Sequence, residues 1–234
     1  MISAATGAVA LVVAPIAREY GMDYLIATVL LAGVFQIVLA VLGVAKLMRF
    51  IPRSVMVGFV NSLAILIFSA QIPELIDVPW LVYPLVALGI VLLVSFPKVT
   101  KAIPAPLVSI VVVTVLVVVC SFSVPTVGDK GELPRSLPEL FIPQVPWTVE
   151  TLQIIAPVAI AMALVGLMES LMTAKLVDEI TDTHSNKTRE SFGQGVANIA
   201  SGLFGGMGGC AMIGQTMINV KASGCLLYTS PSPR

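Results

Sequence analysis

The chain has 234 residues, of which 57% are hydrophobic and only 11% charged, and its mean hydropathy is +1.00. An ordinary soluble domain needs far more polar surface than this, so the composition is that of a polytopic membrane protein. Thirteen basic residues balance thirteen acidic ones, which leaves no basic field for nucleic acid, and three cysteines without regular spacing give no disulfide framework.

Met1 opens directly into ISAATGAVALVVAPIA, with no basic n-region and no cleavage site, so no cleavable signal peptide is expected. The chain reads as beginning inside a larger protein. Apolar segments fall at about 1–17, 24–44, 55–72, 80–96, 106–123 and 150–175, with two weaker ones at 189–206 and 209–221. In the first, Ser3, Thr6 and Gly7 precede an apolar run too short to span alone.

The breaks between segments alternate in chemistry. AKLMRFIPRS (45–54), FPKVTKAIP (96–104) and KLVDEITDTHSNKTRES (175–191) carry basic residues, whereas REYGMD (18–23), QIPELIDVP (71–79) and TVGDKGELPRSLPEL (126–140) lean acidic. With Lys221 added, the first group holds Lys46, Arg49, Arg53, Lys98, Lys101, Lys175, Lys187 and Arg189, against Arg18, Lys130 and Arg135 in the second. The positive-inside rule puts the first group in the cytoplasm. The connection at about 124–149 is rich in Pro and acidic side chains and is expected to be a surface loop acting as a passive connector.

The sixth segment is apolar from Leu152 to Met168 and is then interrupted by Glu169. A carboxylate at that depth costs several kcal/mol unless partnered or neutralised (about 2.5–3.5 on insertion scales), which marks it as functional by default. Gly166 and Thr173 share its helical face, with the glycine expected to leave room beside the carboxyl group. A carboxyl that takes up and releases a proton can couple that exchange to substrate movement. A structural alternative is a protonated Glu169 hydrogen-bonded to backbone as helix glue. His184, in TDTHSNKTRES, has no second His or Cys nearby and reads as a solvated loop residue, so no metal site is expected.

After residue 191 the chain turns glycine-rich and polar, with Gln194, Asn198, Gln215, Thr216 and Asn219. GGMGG (205–209) is the expected break, because unwound backbone is tolerated in a membrane only where protein covers it or water reaches it. It lacks the spacings of a nucleotide loop. A short helix starting near Cys210 would present free N–H groups and a positive dipole end to an anion; close packing of helices around glycines is the plainer alternative. Two short, interrupted segments far apart in sequence point to an inverted-repeat transporter.

GLMESLMTAKLVDEITDTHSNKTRES followed by GQGVANIASGLFGGMGGCAMIGQTMINVK resembles the SulP family of sulfate permeases and related anion transporters, and the resemblance runs from Met1 to about Gly224. It implies an all-α polytopic membrane protein, part of a 7+7 inverted-repeat fold with two short interrupted helices. On that plan residues 1–224 form a partial transmembrane domain, from the third segment to the tenth. The resemblance also implies that the first two segments, the last four and the cytoplasmic STAS domain lie outside these residues, and the chain by itself is not expected to transport. The tail CLLYTSPSPR, Cys225 to Arg234, fits nothing in the family and reads as non-native sequence.

The resemblance further implies an anion site between the N-termini of two short helices, carried over here to Ser3, Thr6 and Gly7 on one side and Cys210, Ala211, Met212 and Ile213 on the other. It places the coupling group at Glu169, with Thr173 one turn later. With Glu169, Met212 and Ile213 in place, coupling to protons or anion exchange is expected in preference to sodium. The implied function is secondary transport of sulfate, bicarbonate or dicarboxylate across a bacterial inner or plasma membrane, by a multi-pass protein that needs no cofactor and is not an enzyme. A homodimer is allowed for the full-length protein. An anion channel, or a nucleobase permease of the same architecture, is the alternative; for the permease only Gln215 and Thr216 offer hydrogen bonds to a base.

Overall fold

A computed structural model of the chain describes residues 1–46, 52–99, 104–126, 139–146 and 148–221. Arg49, Lys101, Lys130, Arg135 and the tail Cys225 to Arg234 lie outside the described residues. The fold is helical, as expected. Its helices are α1 (Gly7–Tyr20), α2 (Met22–Val41), α3 (Arg53–Gln71), α4 (Val82–Val99), α5 (Ala105–Val119), α6 (Val149–Thr181), α7 (Lys187–Leu203) and α8 (Ile213–Lys221). Met22–Val41, Ser54–Leu75 and Val149–Thr181 are long and apolar enough to cross a membrane, and α4 and α5 are shorter apolar helices.

Two features depart from the sequence reading. Residues 3–4 and 210–211 are not helical but form two short strands, β1 (Ser3–Ala4) and β2 (Cys210–Ala211). They pair antiparallel, with Ser3 opposite Ala211 and Ala4 opposite Cys210. The helix expected to start near Cys210 therefore starts at Ile213, and the first one starts at Gly7. The sixth helix also runs past Lys175 to Thr181, so the basic connection is shorter than the sequence suggested. The added turns are fastened by the ion pair of Asp178 with Lys187 across the α6–α7 connection.

Helix ends are fixed locally. Thr6, Thr148 and Asn186 each accept a hydrogen bond from a backbone N–H in the first turn of α1, α6 and α7 respectively, satisfying donors that the helix itself cannot. Gly21, at φ 87°, ends α1 and lets α2 begin on the next residue. The break expected at GGMGG is present: α7 ends at Leu203, and Gly205 and Gly208 take positive φ before β2 begins.

One compact unit is built from Met1–Ile67 and the described residues after Pro138, and a second from Phe68–Leu137. In the first, Val9 and Val13 of α1, Val29 and Ala32 of α2, and Ala159, Met162 and Ala163 of α6 form a core that also takes in Cys210. Between α2 and α7 two glycines meet reciprocally. A Cβ on Gly33 would stand 2.8 Å from the Gly195 carbonyl oxygen, and one on Gly195 would stand 2.8 Å from that of Gly33. Small residues let the backbones close to van der Waals contact where lipid supplies no hydrophobic drive for association.

The described part of the 124–149 connection is not a passive link. Phe141 N–H donates to the Leu203 carbonyl at the end of α7 (2.6 Å), and Gln144 N–H donates to the Asp23 carboxylate at the start of α2 (2.8 Å). Val145 packs with Ile16, Ala27 and Ile155. In the second unit α4 lies against α5, with Ser109 Oγ donating to the Gly89 carbonyl (3.3 Å). The large apolar side chains Ile90, Val94, Ile110 and Val118 are exposed there.

Candidate functional site

The β1–β2 ladder is the centre of the candidate site. Its strands are antiparallel and each leads straight into a helix, so α1 and α8 leave it in opposite directions with their N-termini at its two ends. Both positive dipole ends, and first-turn N–H groups that no helical carbonyl can reach, are thereby held beside one short stretch of backbone. Two further bonds extend the ladder: Met212 N–H donates to the Ile2 carbonyl (2.9 Å) and Ile2 N–H donates to Thr216 Oγ1 (3.0 Å). Met212 in turn opens α8, its carbonyl accepting from Thr216 N–H (3.1 Å).

Of the nine residues singled out from the sequence, Ser3, Cys210 and Ala211 lie in the ladder, Met212 extends it, Thr6, Glu169 and Thr173 bond to it, and Gly7 and Ile213 begin the two helices that follow it. Ser3 and Gly7 are exposed, Thr6, Cys210 and Ala211 buried, Met212 and Ile213 half-buried. Glu169 reaches the ladder through Cys210, whose thiol donates to Glu169 Oε2 (2.8 Å); the same sulfur lies 3.1 Å from Thr6 Oγ1. Thr173 reaches it through the Ala211 carbonyl (3.4 Å).

The Thr173 hydroxyl donates to the Glu169 backbone carbonyl (2.8 Å), the usual i−4 bond of a helical threonine. One local expectation is corrected: Gly166 does not make room for the Glu169 carboxyl. A Cβ there would stand 2.9 Å from Gln36 Nε2 and 3.7 Å from Cys210 Cβ, so the missing side chain admits the Gln36 amide and the strand.

A second polar layer, behind the ladder, was not assigned from sequence. Asn198 Oδ1 accepts from Gly209 N–H (2.8 Å), and its Nδ2 donates to the Gly209 carbonyl (3.1 Å) and to Gln36 Oε1 (2.8 Å). Gln194 Nε2 also donates to the Gly209 carbonyl (2.9 Å), while its Oε1 accepts from Ser3 Oγ (3.0 Å) and Ser170 Oγ (3.5 Å). Ser170 Oγ then accepts from Ala211 N–H (3.0 Å). These side chains replace the hydrogen bonds that helix would have supplied to residues 209–211, which is how non-helical backbone survives at membrane depth. Spacing was the available signal: Gln194 and Asn198 lie four apart on one face of α7, and Gln36 is an amide within an otherwise apolar stretch of α2.

A cavity of about 310 Å³ lies beside the start of α8, lined by Met56, Asn61, Met172, Lys175 and Ile213 among others. Ile213 is its one link to the predicted residues.

The family model for the sulfate permease family matches residues 1–80 and 76–226. The chain belongs to the sulfate permease family. Over 224 residues it is 54% identical to the putative sulfate transporter YbaR of Bacillus subtilis, an alignment covering 96% of this chain and 47% of that protein. It is 30% identical over 233 residues to the bicarbonate transporter BicA of Picosynechococcus, covering 88% of this chain and 40% of that one. The transmembrane domain of a cyanobacterial bicarbonate transporter BicA superposes with a TM-score of 0.79 at 25% identity, covering 96% of this chain and 64% of that domain. This sulfate permease family chain thus spans about half the length of the curated relatives it matches, and it is part of an integral, multi-pass membrane protein.

Proposed function

We propose that this chain carries the anion site of a secondary transporter for small anions of the sulfate, bicarbonate or dicarboxylate class, working by proton-coupled symport or anion exchange. The observation that carries the reading is the β1–β2 ladder, which sets the N-termini of α1 and α8 beside one another's strands and ties Glu169 into the same hydrogen-bonded unit. Fixed N–H groups and dipole ends attract an oxyanion or carboxylate without a formal cation. Ser3, Thr6 and Gly7 on one side, and Cys210, Ala211, Met212 and Ile213 on the other, are the binding residues in this reading, with Glu169 the coupling group and Thr173 bracing it. The side chains of Met212 and Ile213 carry no oxygen, which favours protons over sodium as the coupling ion. Relatives that are named sulfate and bicarbonate transporters support the substrate class.

The test is flux in proteoliposomes containing the full-length transporter. Saturable uptake of labelled sulfate or bicarbonate, driven by an inward proton gradient or by an opposing anion gradient and competed by other small anions, is the expected result. Uptake of nucleobases that no anion competes, or anion flux that neither gradient drives, overturns the reading.

A further inference from the structure

We propose that Cys210 is a positioning residue which relays the protonation state of Glu169 to the anion-facing hydroxyl of Thr6, by reversing the direction of one short hydrogen-bond chain. This rests on the reading of Glu169 as the coupling group and of Thr6 as part of the anion site.

Four groups make the chain: the Glu169 carboxyl, the Cys210 thiol at 2.8 Å, Thr6 Oγ1 at 3.1 Å from the sulfur, and Val9 N–H, which donates to Thr6 Oγ1 at 3.3 Å. Cys210 is fully buried and Thr6 nearly so, which shields the middle of the chain from water, while Glu169 is half-buried and open to the proton it takes up. An ionised carboxylate only accepts, a thiol has one hydrogen, and a hydroxyl has one hydrogen and two acceptor lone pairs.

These inventories fix the directions. With Glu169 ionised, Cys210 S–H points at the carboxylate and its sulfur accepts from Thr6 O–H. The Thr6 hydrogen is then spent inward. When a proton from solvent adds to Glu169 Oε2, the new carboxyl O–H donates to the sulfur, and S–H turns to donate to Thr6 Oγ1. That oxygen now accepts from both Cys210 and Val9, so its own hydrogen turns outward at the N-terminus of α1, between the exposed residues Ala5 and Gly7. No S–H or O–H bond breaks in either side chain; both hydrogens rotate, and the added proton stays on the carboxyl group. The protonated state therefore presents an oxyanion with one hydrogen-bond donor more than the ionised state does.

Other charges do not supply this link. Among the described residues Cys210 is the group that hydrogen-bonds the Glu169 carboxyl. The ionisable groups on the elements packed against α6 sit at or just beyond helix ends: Arg18, Glu19 and Tyr20 at the end of α1, Asp23 and Tyr24 at the start of α2, Lys46 after its end, Arg53 as the first residue of α3, Lys187, Arg189 and Glu190 at the start of α7, and Lys221 as the last residue of α8. On α6 itself, Glu150 lies in the first turn, and Lys175, Asp178 and Glu179 lie beyond Glu169 toward its C-terminus.

The experiment measures the KM for labelled sulfate, which stays a dianion throughout, in proteoliposomes of the full-length transporter between about pH 5.5 and about pH 7.5. Wild type is expected to bind about tenfold more tightly at the acidic end, the effect of one hydrogen bond to a charged group. Cys210→Ser keeps one donor and the acceptor lone pairs and should retain the pH dependence; Cys210→Ala should flatten it in protein that still folds and takes up sulfate. Cys210→Val serves in its place if the alanine variant is unstable. A wild-type pH profile in Cys210→Ala or Cys210→Val, or a flat one in Cys210→Ser, overturns the relay. A flat profile in the wild type itself overturns the proton-coupled reading beneath it, which keeps the two failures distinct.

Discussion

Asn198 holds both backbone groups of Gly209, accepting from its N–H at 2.8 Å and donating to its carbonyl at 3.1 Å. A side chain on α7 thus stands in for the helix that stops at Leu203. Asn198→Ala leaves the buried Gly209 N–H without an acceptor, and should cost about 1–3 kcal/mol. Asn198→Asp restores the acceptor but sets a carboxylate oxygen against the Gly209 carbonyl and Gln36 Oε1, so it should be no better than alanine. Thermal unfolding of the full-length protein in detergent reads both, and an unchanged midpoint for Asn198→Ala would contradict the clamp.

The two ends of GGMGG should respond differently to alanine. A Cβ on Gly209 would run into the Ala4 carbonyl oxygen, and relief requires the ladder to open. Gly209→Ala should therefore cost about 3 kcal/mol, at the upper end of overpacking, and abolish anion uptake. Gly205 has open space around it and only its φ of 76° to object, so Gly205→Ala should cost about 1–2 kcal/mol and keep uptake. Equal losses in the two variants would refute the assignment of the ladder as the site.

The crossing of α2 and α7 makes a similar contrast. A Cβ on Gly33 would lie 2.6 Å from Ile199 Cγ1, and one on Gly195 would lie 2.7 Å from Ile37 Cγ1, whereas one on Gly193 meets nothing within 4 Å. Gly33→Ala and Gly195→Ala should each destabilise by about 1–3 kcal/mol. Gly193→Ala should be neutral or stabilise by up to about 1 kcal/mol, since alanine is the better helix former. Melting temperatures of the three variants decide the matter.

Glu169→Gln keeps the size of the side chain and an acceptor for the Cys210 thiol, but has no proton to release. It should insert and fold at wild-type yield, lose uptake driven by a pH gradient, and still exchange one anion for another. Helix glue without coupling predicts instead that glutamine is tolerated in full while Glu169→Leu harms folding. Uptake driven by an inward proton gradient, measured beside thermal stability, separates the two, and a wild-type rate in Glu169→Gln would sink the coupling role.

Sequence by itself determined the features that depend on neighbours along the chain. The order of the apolar segments, the break at GGMGG and the anomaly of Glu169 were all legible, because helix formation, glycine freedom and the cost of a charge in lipid are local properties. Tertiary structure alone decided the pairing of Ser3 with Ala211. A strand of two residues has no period to read, and its hydrogen bonds go to a segment at the far end of the chain. The same holds for the thiol of Cys210 and the amides of Gln36 and Asn198. Each is a polar group whose partner lies on another element, so its meaning appears only when α2, α6 and α7 close around the ladder and bring Cys210 to Glu169 and Asn198 to Gly209 and Gln36.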